Sequence, residues 1–324
     1  AGDAEKFKSD LGGYAVSVNE SKNGLLLVKT HRHCLCGKAD CNGRDDHLKQ
    51  ETDFTPWTDA LAKAQNGIDK TASNSLPSKE GGKYYLDTDV TLTETWTPAS
   101  GTVLCLNGHN ITMNGSKKAA IYVINAFTLC DCKGGKDAYG QITHATGKTG
   151  SGVYVSGNGR FYMYGGSISN NTTNLGDNGG GVYMAGGQFT MYGGSITKNT
   201  AKKDSQNNGG NGGGVYVNSG TFDMNGNASV SDNTATKNGG GVYVGGGTFT
   251  MNDTASVKDN TASDNTADQG NGGGVYVYNS GEFNMYGGSI TLNTAAKGGG
   301  VKVDGGKFNL YGGEIADNKA EGQN

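Results

Sequence analysis

Proline, arginine, tryptophan and histidine are all scarce in this chain of 324 residues. It carries 3 prolines against 58 glycines, where average usage would be about 5% and 7%. Glycine without proline excludes a collagen triple helix, which needs both at a fixed period. Valine and tyrosine recur too regularly for a flexible glycine linker. Arginine occurs only at Arg32, Arg44 and Arg160, so bidentate clamping of phosphate or uronate groups has few donors. The formal net charge is -3, and nucleic acid is not an expected partner, because phosphate neutralisation needs a basic surface. No apolar run reaches the roughly 18 residues of a membrane-spanning helix, so membrane insertion is not expected either. Neither a secretory leader nor a sorting tail is recognisable, and the chain reads as a monomeric piece of a longer exported protein.

What the sequence has in abundance is repetition, which decides the architecture before any local propensity does. Six copies of one pattern run from Ser151 to the end. The first element is Val-Tyr-Val: Val153-Tyr154-Val155, then Val182-Tyr183-Met184, Val215-Tyr216-Val217, Val242-Tyr243-Val244, Val275-Tyr276-Val277 and Val301-Lys302-Val303. A second element, F-x-M-Y-G-G, is anchored by Phe161/Met163, Phe189/Met191, Phe222/Met224, Phe249/Met251, Phe283/Met285 and Phe308/Leu310. A third, S-I-x-x-N-T-A, carries Ile168, Ile196, Val230, Val257, Ile290 and Ile315. Each element alternates apolar and polar residues, the signature of a half-buried strand, and each is too short for a helix. Glycine pairs such as Gly193-Gly194 stand between elements, where the backbone turns sharply.

Three short strands in repeats of 25 to 34 residues predict an all-β fold, a right-handed parallel β-helix. One coil cannot bury its own apolar side, so stability comes from stacking. Leu104-x-Leu106-Asn107-Gly108-x-x-Ile111 matches the spacing of F-x-M-Y-G-G-x-I, and Ile121-Tyr122-Val123 with Phe127-x-Leu129 supplies another coil. About eight coils at about 4.8 Å each make a rod of about 40 Å. The β-helix is expected over residues 81–324 and a small capping region over 1–80.

Three residues after each Ile or Val of the third element stands an asparagine: Asn171, Asn199, Asn233, Asn260, Asn293 and Asn318. A surface turn would accept Asp, Gly or Ser there. The invariance points to a buried ladder in which each side chain bonds the next and satisfies turn backbone. The largest variation in length lies between this asparagine and the following glycines. Ala201–Gly214 and Ala262–Gly274 are long and polar, whereas Ala235–Gly241 and Ala295–Gly300 are short. Insertions gathered at one corner of a solenoid often mark its binding face.

The pairing of I-x-x-N-T-A with G-G-G-V-Y resembles the FxxN and GGA(I/V) repeats of polymorphic outer-membrane protein adhesins. It resembles still more the large adhesin-like surface proteins of gut Gram-positive bacteria. Gly82-Lys83-Tyr84-Tyr85-Leu86-Asp87-Thr88-Asp89-Val90-Thr91-Leu92, continued by Leu104-Cys105-Leu106-Asn107-Gly108-His109, is similar to the way such β-helices begin. The resemblance covers about residues 31 to 320. Ile or Val stands where the outer-membrane repeats have Phe, which leaves the coil intact. It implies an extracellular, cell-surface location and a host ligand: mucin glycans, matrix proteins or immunoglobulin.

Residues 1 to 80 do not repeat. Tyr14–Val18 and Leu25–Val28 read as a strand pair. Thr55-Pro56 reads as N-cap and first helical residue of a short helix over 56–72. Such a region can cover the open end of a solenoid. It contains the densest set of metal-ligating types, His31-Arg32-His33-Cys34-Leu35-Cys36, with Cys41 and His47. Cys34, Cys36, Cys41 and His47, with His33 or His31 as substitutes, could give Zn²⁺ a tetrahedral set in the 31–47 loop. Metal would then supply folding energy to a loop with little core. Disulfides or unbonded thiols are the alternative readings. The alternation places Cys105 and Cys130 outward on neighbouring coils with a two-residue offset. The resulting Cα separation is about 8 Å, too long for an easy disulfide.

Tyr154, Tyr183, Tyr216, Tyr243 and Tyr276 form an outward column on the first element, and Tyr164, Tyr192, Tyr286 and Tyr311 part of a second. Tyrosine suits protein or sugar binding, being large, amphipathic and low in side-chain entropy. Stacking between coils would explain the same repetition. Asp177-Asn178 and Asp264–Asp268 lack calcium-loop spacing and read as solvated turns. Catalysis on a polysaccharide needs clustered acids, or a metal with a cation. From Ser151 onward there is no His, Cys or Trp, and Asp223, Asp253, Glu282, Asp304 and Glu314 fall on different coils and faces. The expectation is therefore a binding protein rather than an enzyme, with a non-binding stalk and a glycan-cleaving enzyme as alternatives.

Overall fold

The computed structural model describes residues 54–67, 75–116, 119–132, 139–174, 176–264 and 269–322, and the backbone of Tyr14–Val18, Leu25–Lys29, His31–His33 and Thr52–Pro56. Among these residues, strands that occupy the same place in successive repeats pair in parallel and stack into a β-helix. The Val-Tyr strands form a seven-stranded sheet from Ile121–Val123 to Val301–Asp304. The Phe-Met strands run from Thr52–Pro56 to Lys307–Leu310, with His31–His33 added antiparallel at the first edge. The Ile strands form a nine-stranded sheet from Val90–Leu92 to Glu314–Ala316.

A fourth wall was not expected. The Thr-Ala dipeptides Thr172–Thr173, Thr200–Ala201, Thr234–Ala235, Thr261–Ala262, Thr294–Ala295 and Lys319–Ala320 form a six-stranded parallel sheet of their own. Each full coil therefore has four strands rather than three. Two residues are too few to display an alternation, which is why the pattern hides them. Their small inward residues, Ala201, Ala235, Ala262 and Ala295, are buried.

Register is exact from coil to coil. Phe161 pairs with Phe189, Phe189 with Phe222, Phe222 with Phe249, and Phe249 with Phe283. The Phe rings from Phe127 to Phe308 lie 4.6 to 5.5 Å apart, nearly parallel, through the core. The Val, Met and Ile columns complete a continuous apolar interior. A one-residue slip would turn every one of these side chains outward, so the columns fix the register.

At the amino-terminal end the core is closed by Trp57, Ala62 and Leu76. Trp57 packs edge-to-face on Tyr84 at 5.1 Å and donates to the Ser75 carbonyl at 2.7 Å. The helix is shorter than expected, Asp59–Asn66 rather than 56–72. Thr58, not Thr55, is its N-cap, accepting from the Leu61 N–H, and Gly67 ends it in the left-handed conformation. Thr55 and Pro56 instead finish a strand that pairs with Tyr84 and Tyr85. Residues 68–72 lie outside the described residues. Tyr14–Val18 and Leu25–Lys29 pair antiparallel as a two-stranded sheet.

The asparagines build the buried seam. Asn233 Oδ1 accepts from both the backbone N–H and Nδ2 of Asn199, each at 3.0 Å. Asn233 Nδ2 donates to the Ile196 carbonyl at 2.9 Å and to Asn260 Oδ1 at 3.0 Å. The same pattern carries the ladder from Asn171 to Asn318. At its amino-terminal end His144 Nδ1 lies 2.7 Å from Asn171 Oδ1. That oxygen can only accept, so the ring hydrogen sits on Nδ1.

Glycine makes room for this seam. A Cβ on Gly152, Gly181, Gly214, Gly241, Gly274 or Gly300 would lie 2.7 to 3.0 Å from a ladder Nδ2. The residue before each ladder asparagine is left-handed: Asn170, Lys198, Asp232, Asp259, Leu292 and Asp317 have φ of 54 to 58°. Asn and Asp tolerate that region, whereas an exposed leucine pays for it in strain.

Three outcomes follow for unfolding midpoints in chemical denaturant. Asn233→Ala strands two donors of Asn199 and the Ile196 carbonyl, and should cost about 3 kcal/mol or more; Asn318→Ala, at the exposed end, should cost clearly less. Leu292→Asn should gain about 1 kcal/mol by relieving the left-handed strain.

Candidate functional site

The outward face of the Val-Tyr sheet carries a column of stacked tyrosines. It starts one coil earlier than expected, at Tyr122, which pairs in register with Tyr154. Tyr122 meets Tyr154 edge-on at 5.1 Å, and Tyr154, Tyr183, Tyr216 and Tyr243 then stack at 4.8 to 5.3 Å within 20° of parallel. Stacking hides the ring faces, so the column presents edges and hydroxyls. Burial pushes the phenol pKa of Tyr154, Tyr183 and Tyr216 up.

Exposure falls along the column. Tyr122 is 37% exposed, whereas Tyr243 is 7% and Tyr276 is 3% exposed. Tyr278 lies over both of the latter, and Tyr276 donates to Asp304 Oδ2 at 3.0 Å. Of the five column positions expected to contact a ligand, Tyr154, Tyr183 and Tyr216 are accessible and Tyr243 and Tyr276 are not. Alternation alone could not reveal this, because the covering residue Tyr278 lies outside the repeat. Sequence reasoning also passed over Tyr122, although Ile121-Tyr122-Val123 was already visible as a strand.

The second tyrosine column, after the Phe-Met strands, is more open. Tyr192, Tyr286 and Tyr311 are exposed, with Tyr164–Tyr192 and Tyr286–Tyr311 stacked at 4.7 and 4.6 Å. Asn225 and Asn252 fill the gap and bond one another at 3.0 Å.

The variable corner borders the first column. Its long inserts come from alternate coils and meet across the short corner between them. Lys203 Nζ pairs with Asp264 Oδ2 at 2.5 Å, and the Lys203 N–H donates to Thr236 Oγ1 of the intervening coil at 2.7 Å. The Asp264 side chain is only 6% exposed, so this is a clamp rather than the solvated turn expected there. Residues 265–268 lie outside the described residues. A second asparagine ladder lines the corner: Asn211 donates to Asn178 Oδ1, Asn238 to Asn211 Oδ1, and Asn271 to Asn238 Oδ1. Its signal was the asparagine before each Gly-Gly-Gly, replaced by Lys297 in the last repeat. Beside it, Tyr154 and Tyr183 share a groove of about 390 Å³ with Ser151, Thr173, Asp177 and Asn178.

Several acids of the rod are held structurally. Asp253 Oδ2 accepts from the Gly226 N–H at 2.8 Å, Asp304 from Tyr276, and Glu282 from Asn284 and Asn309. Asp223 stands between Thr190 and Thr250 in register, with no second carboxylate beside it. Its burial pushes the carboxyl pKa up, against hydrogen bonds from Thr250 and Gln188 that lower it.

Cys34, Cys36, Cys41 and His47 lie outside the described residues, and so does the side chain of His33. The zinc reading therefore rests on sequence alone. Among the described residues no group of three His, Cys, Asp or Glu side chains could hold a metal ion, and no helix is long and apolar enough to cross a membrane. No family model matches this chain, and no curated protein or solved structure matches it.

Asp223 gives a pH test. A folded-state pKa above the unfolded value means that ionisation opposes folding, so stability is greatest below the unfolded pKa and falls as pH rises through the folded one. Asp223→Asn should raise the Tm at pH 7, and the two proteins should converge below about pH 4.

Proposed function

We propose that this chain is a surface-displayed binding module of the bacterial adhesin type, which recognises a host protein or glycan through the open part of its tyrosine wall and the adjoining corner. The observation that carries the reading is the groove where Tyr154 and Tyr183 meet Ser151, Asp177 and Asn178. Aromatic edges there stand beside amide, hydroxyl and carboxylate groups, the mixture that grips polar ligands of modest affinity. The wall is pre-ordered by stacking and by a backbone paired on both sides, so little side-chain entropy is lost on contact. Each acid of the rod with a described hydrogen bond serves the coil, which favours recognition over cleavage. Immunoglobulin, mucin and matrix protein are the partners that the repeat resemblance suggests.

The immobilised chain should retain purified immunoglobulin, mucin or individual glycans of an array. Tyr154→Ala with Tyr183→Ala should then weaken binding about tenfold or more in a chain that stays folded, at the cost of the lost ring stacking. Tyr276→Ala, a buried position, should instead lower stability. Unaltered affinity in the double variant would move the contact surface to the 202–210 and 263–270 inserts. A blank against every ligand would favour the stalk.

A further inference from the structure

The proposed binding surface makes no use of a thiol cluster on the outer face of the Phe-Met sheet in the first coils. Sequence alternation sets Cys105 and Cys130 two residues out of step. In the structure they are direct register partners, as are Leu104 and Leu129. The turn between Leu104 and Ile111 is two residues longer than that between Met163 and Ile168, and it absorbs the offset. Both cysteines point away from the main core, yet both are fully buried. They sit in a separate small core with Phe54 and Tyr85, flanked by Val103, Cys132 and Tyr164.

Beyond Cys130 the chain turns at Asp131. This buried carboxylate accepts from the Gly108 N–H at 3.0 Å and the Gly140 N–H at 2.6 Å, which pins the turn to the preceding coil and to its own far end. The turn carries Cys132 back over Cys105. The Cys132 N–H lies 3.4 Å from Cys105 Sγ, and the two sulfurs are themselves 3.4 Å apart. Cys130 Sγ also neighbours Cys105 and lies 3.7 Å from the Leu104 carbonyl.

A disulfide needs sulfurs about 2.05 Å apart and Cβ atoms about 3.5 to 4.5 Å apart. In-register neighbours on parallel strands hold their Cβ atoms about 4.8 Å apart and aimed the same way, which disfavours Cys105–Cys130. Cys132 approaches from a turn, and closure asks its sulfur to move by about 1.4 Å, within the reach of side-chain rotation.

We propose that Cys105 and Cys132 form a redox pair that closes to a disulfide, stapling the Asp131 turn to the preceding coil, with Cys130 as a buried thiol that stays reduced. The oxidant is a low-molecular-weight disulfide. Cys132, partly exposed, loses its proton to solvent and attacks one sulfur of the reagent, releasing the first small thiol. Cys105 then attacks Cys132 Sγ, its proton leaving with the second small thiol. Two protein thiols and one small disulfide become one protein disulfide and two small thiols, and the two electrons end on the reagent. Burial raises the Cys105 thiol pKa well above its ordinary range, which leaves the first attack to Cys132.

The test is to incubate the full chain with oxidised glutathione, block residual thiols, digest with trypsin without reduction, and sequence the linked peptides by fragmentation. The expected product joins residues 84–117 to 119–133 through Cys105 and Cys132, with Cys130 alkylated. The same linkage should form in Cys130→Ser, be lost in Cys132→Ser, and raise the Tm of the oxidised over the reduced chain by about 5 °C. A Cys105–Cys130 linkage, or alkylation of both Cys105 and Cys132 after oxidation, overturns the proposal. Because fragmentation assigns the bond in the unsubstituted chain, the result does not depend on the variants folding.

Discussion

Everything in the rod hangs on the way one buried amide is satisfied by the next. A lone asparagine in an apolar interior would be a liability, since its oxygen and its two N–H hydrogens each cost free energy when unbonded. Stacked at one coil spacing, each amide oxygen takes two hydrogens from the neighbour and each amide nitrogen returns two. The arrangement works only if every coil places its asparagine at the same height, and this imposes the rest of the repeat. The preceding residue must turn left-handed to bring the chain around. The glycine of the facing strand must lack a Cβ, because the ladder nitrogen occupies that space. The Phe, Val and Ile columns hold the same register, and burying them supplies the main driving force for folding.

A parallel sheet on all sides of a coil also separates two requirements that compete in most binding proteins. The interior is used for stability and is nearly identical from coil to coil. The exterior is free to vary wherever it does not touch the ladder, and the variation is concentrated at one corner. There the long inserts of alternate coils lean on one another through Lys203 and Asp264, so even the variable part is held. The tyrosine wall next to it is graded, open near Tyr122 and covered by Tyr278 and Asp304 farther on. Positions that are equivalent by repeat are therefore not equivalent as contact surface.

Much of this was legible in the residues. The apolar columns, the parallel stacking and the significance of the asparagine could be read because each is stated six times, and repetition averages away local ambiguity. What stayed hidden is what occurs once or is too short to carry a period. The Thr-Ala strand has two residues and so no alternation. The register of Cys105 depends on a turn that is two residues longer than the one between Met163 and Ile168. Burial of Tyr243 and Tyr276 depends on residues outside the pattern. The helix start was misplaced because Thr55-Pro56 and Thr58-Asp59 are both good caps, and pairing of Pro56 with Tyr85 decided between them. The corner asparagines stand before the Gly-Gly-Gly that leads into each Val-Tyr strand from Val182 to Val275, a position that turn geometry alone would also explain.

The two asparagine columns differ in one respect that bears on the rod as an electrical object. In the buried column each amide donates to the asparagine one coil nearer the carboxyl terminus, as Asn199 does to Asn233. In the corner column each donates towards the amino-terminal coil, as Asn211 does to Asn178. Amide dipoles aligned in a row add along the axis, as they do in an α-helix. Here two rows on the same rod point in opposite senses and oppose one another. Lengthening the rod by further repeats of this kind extends both rows together, so its ends need not accumulate opposite partial charge as coils are added.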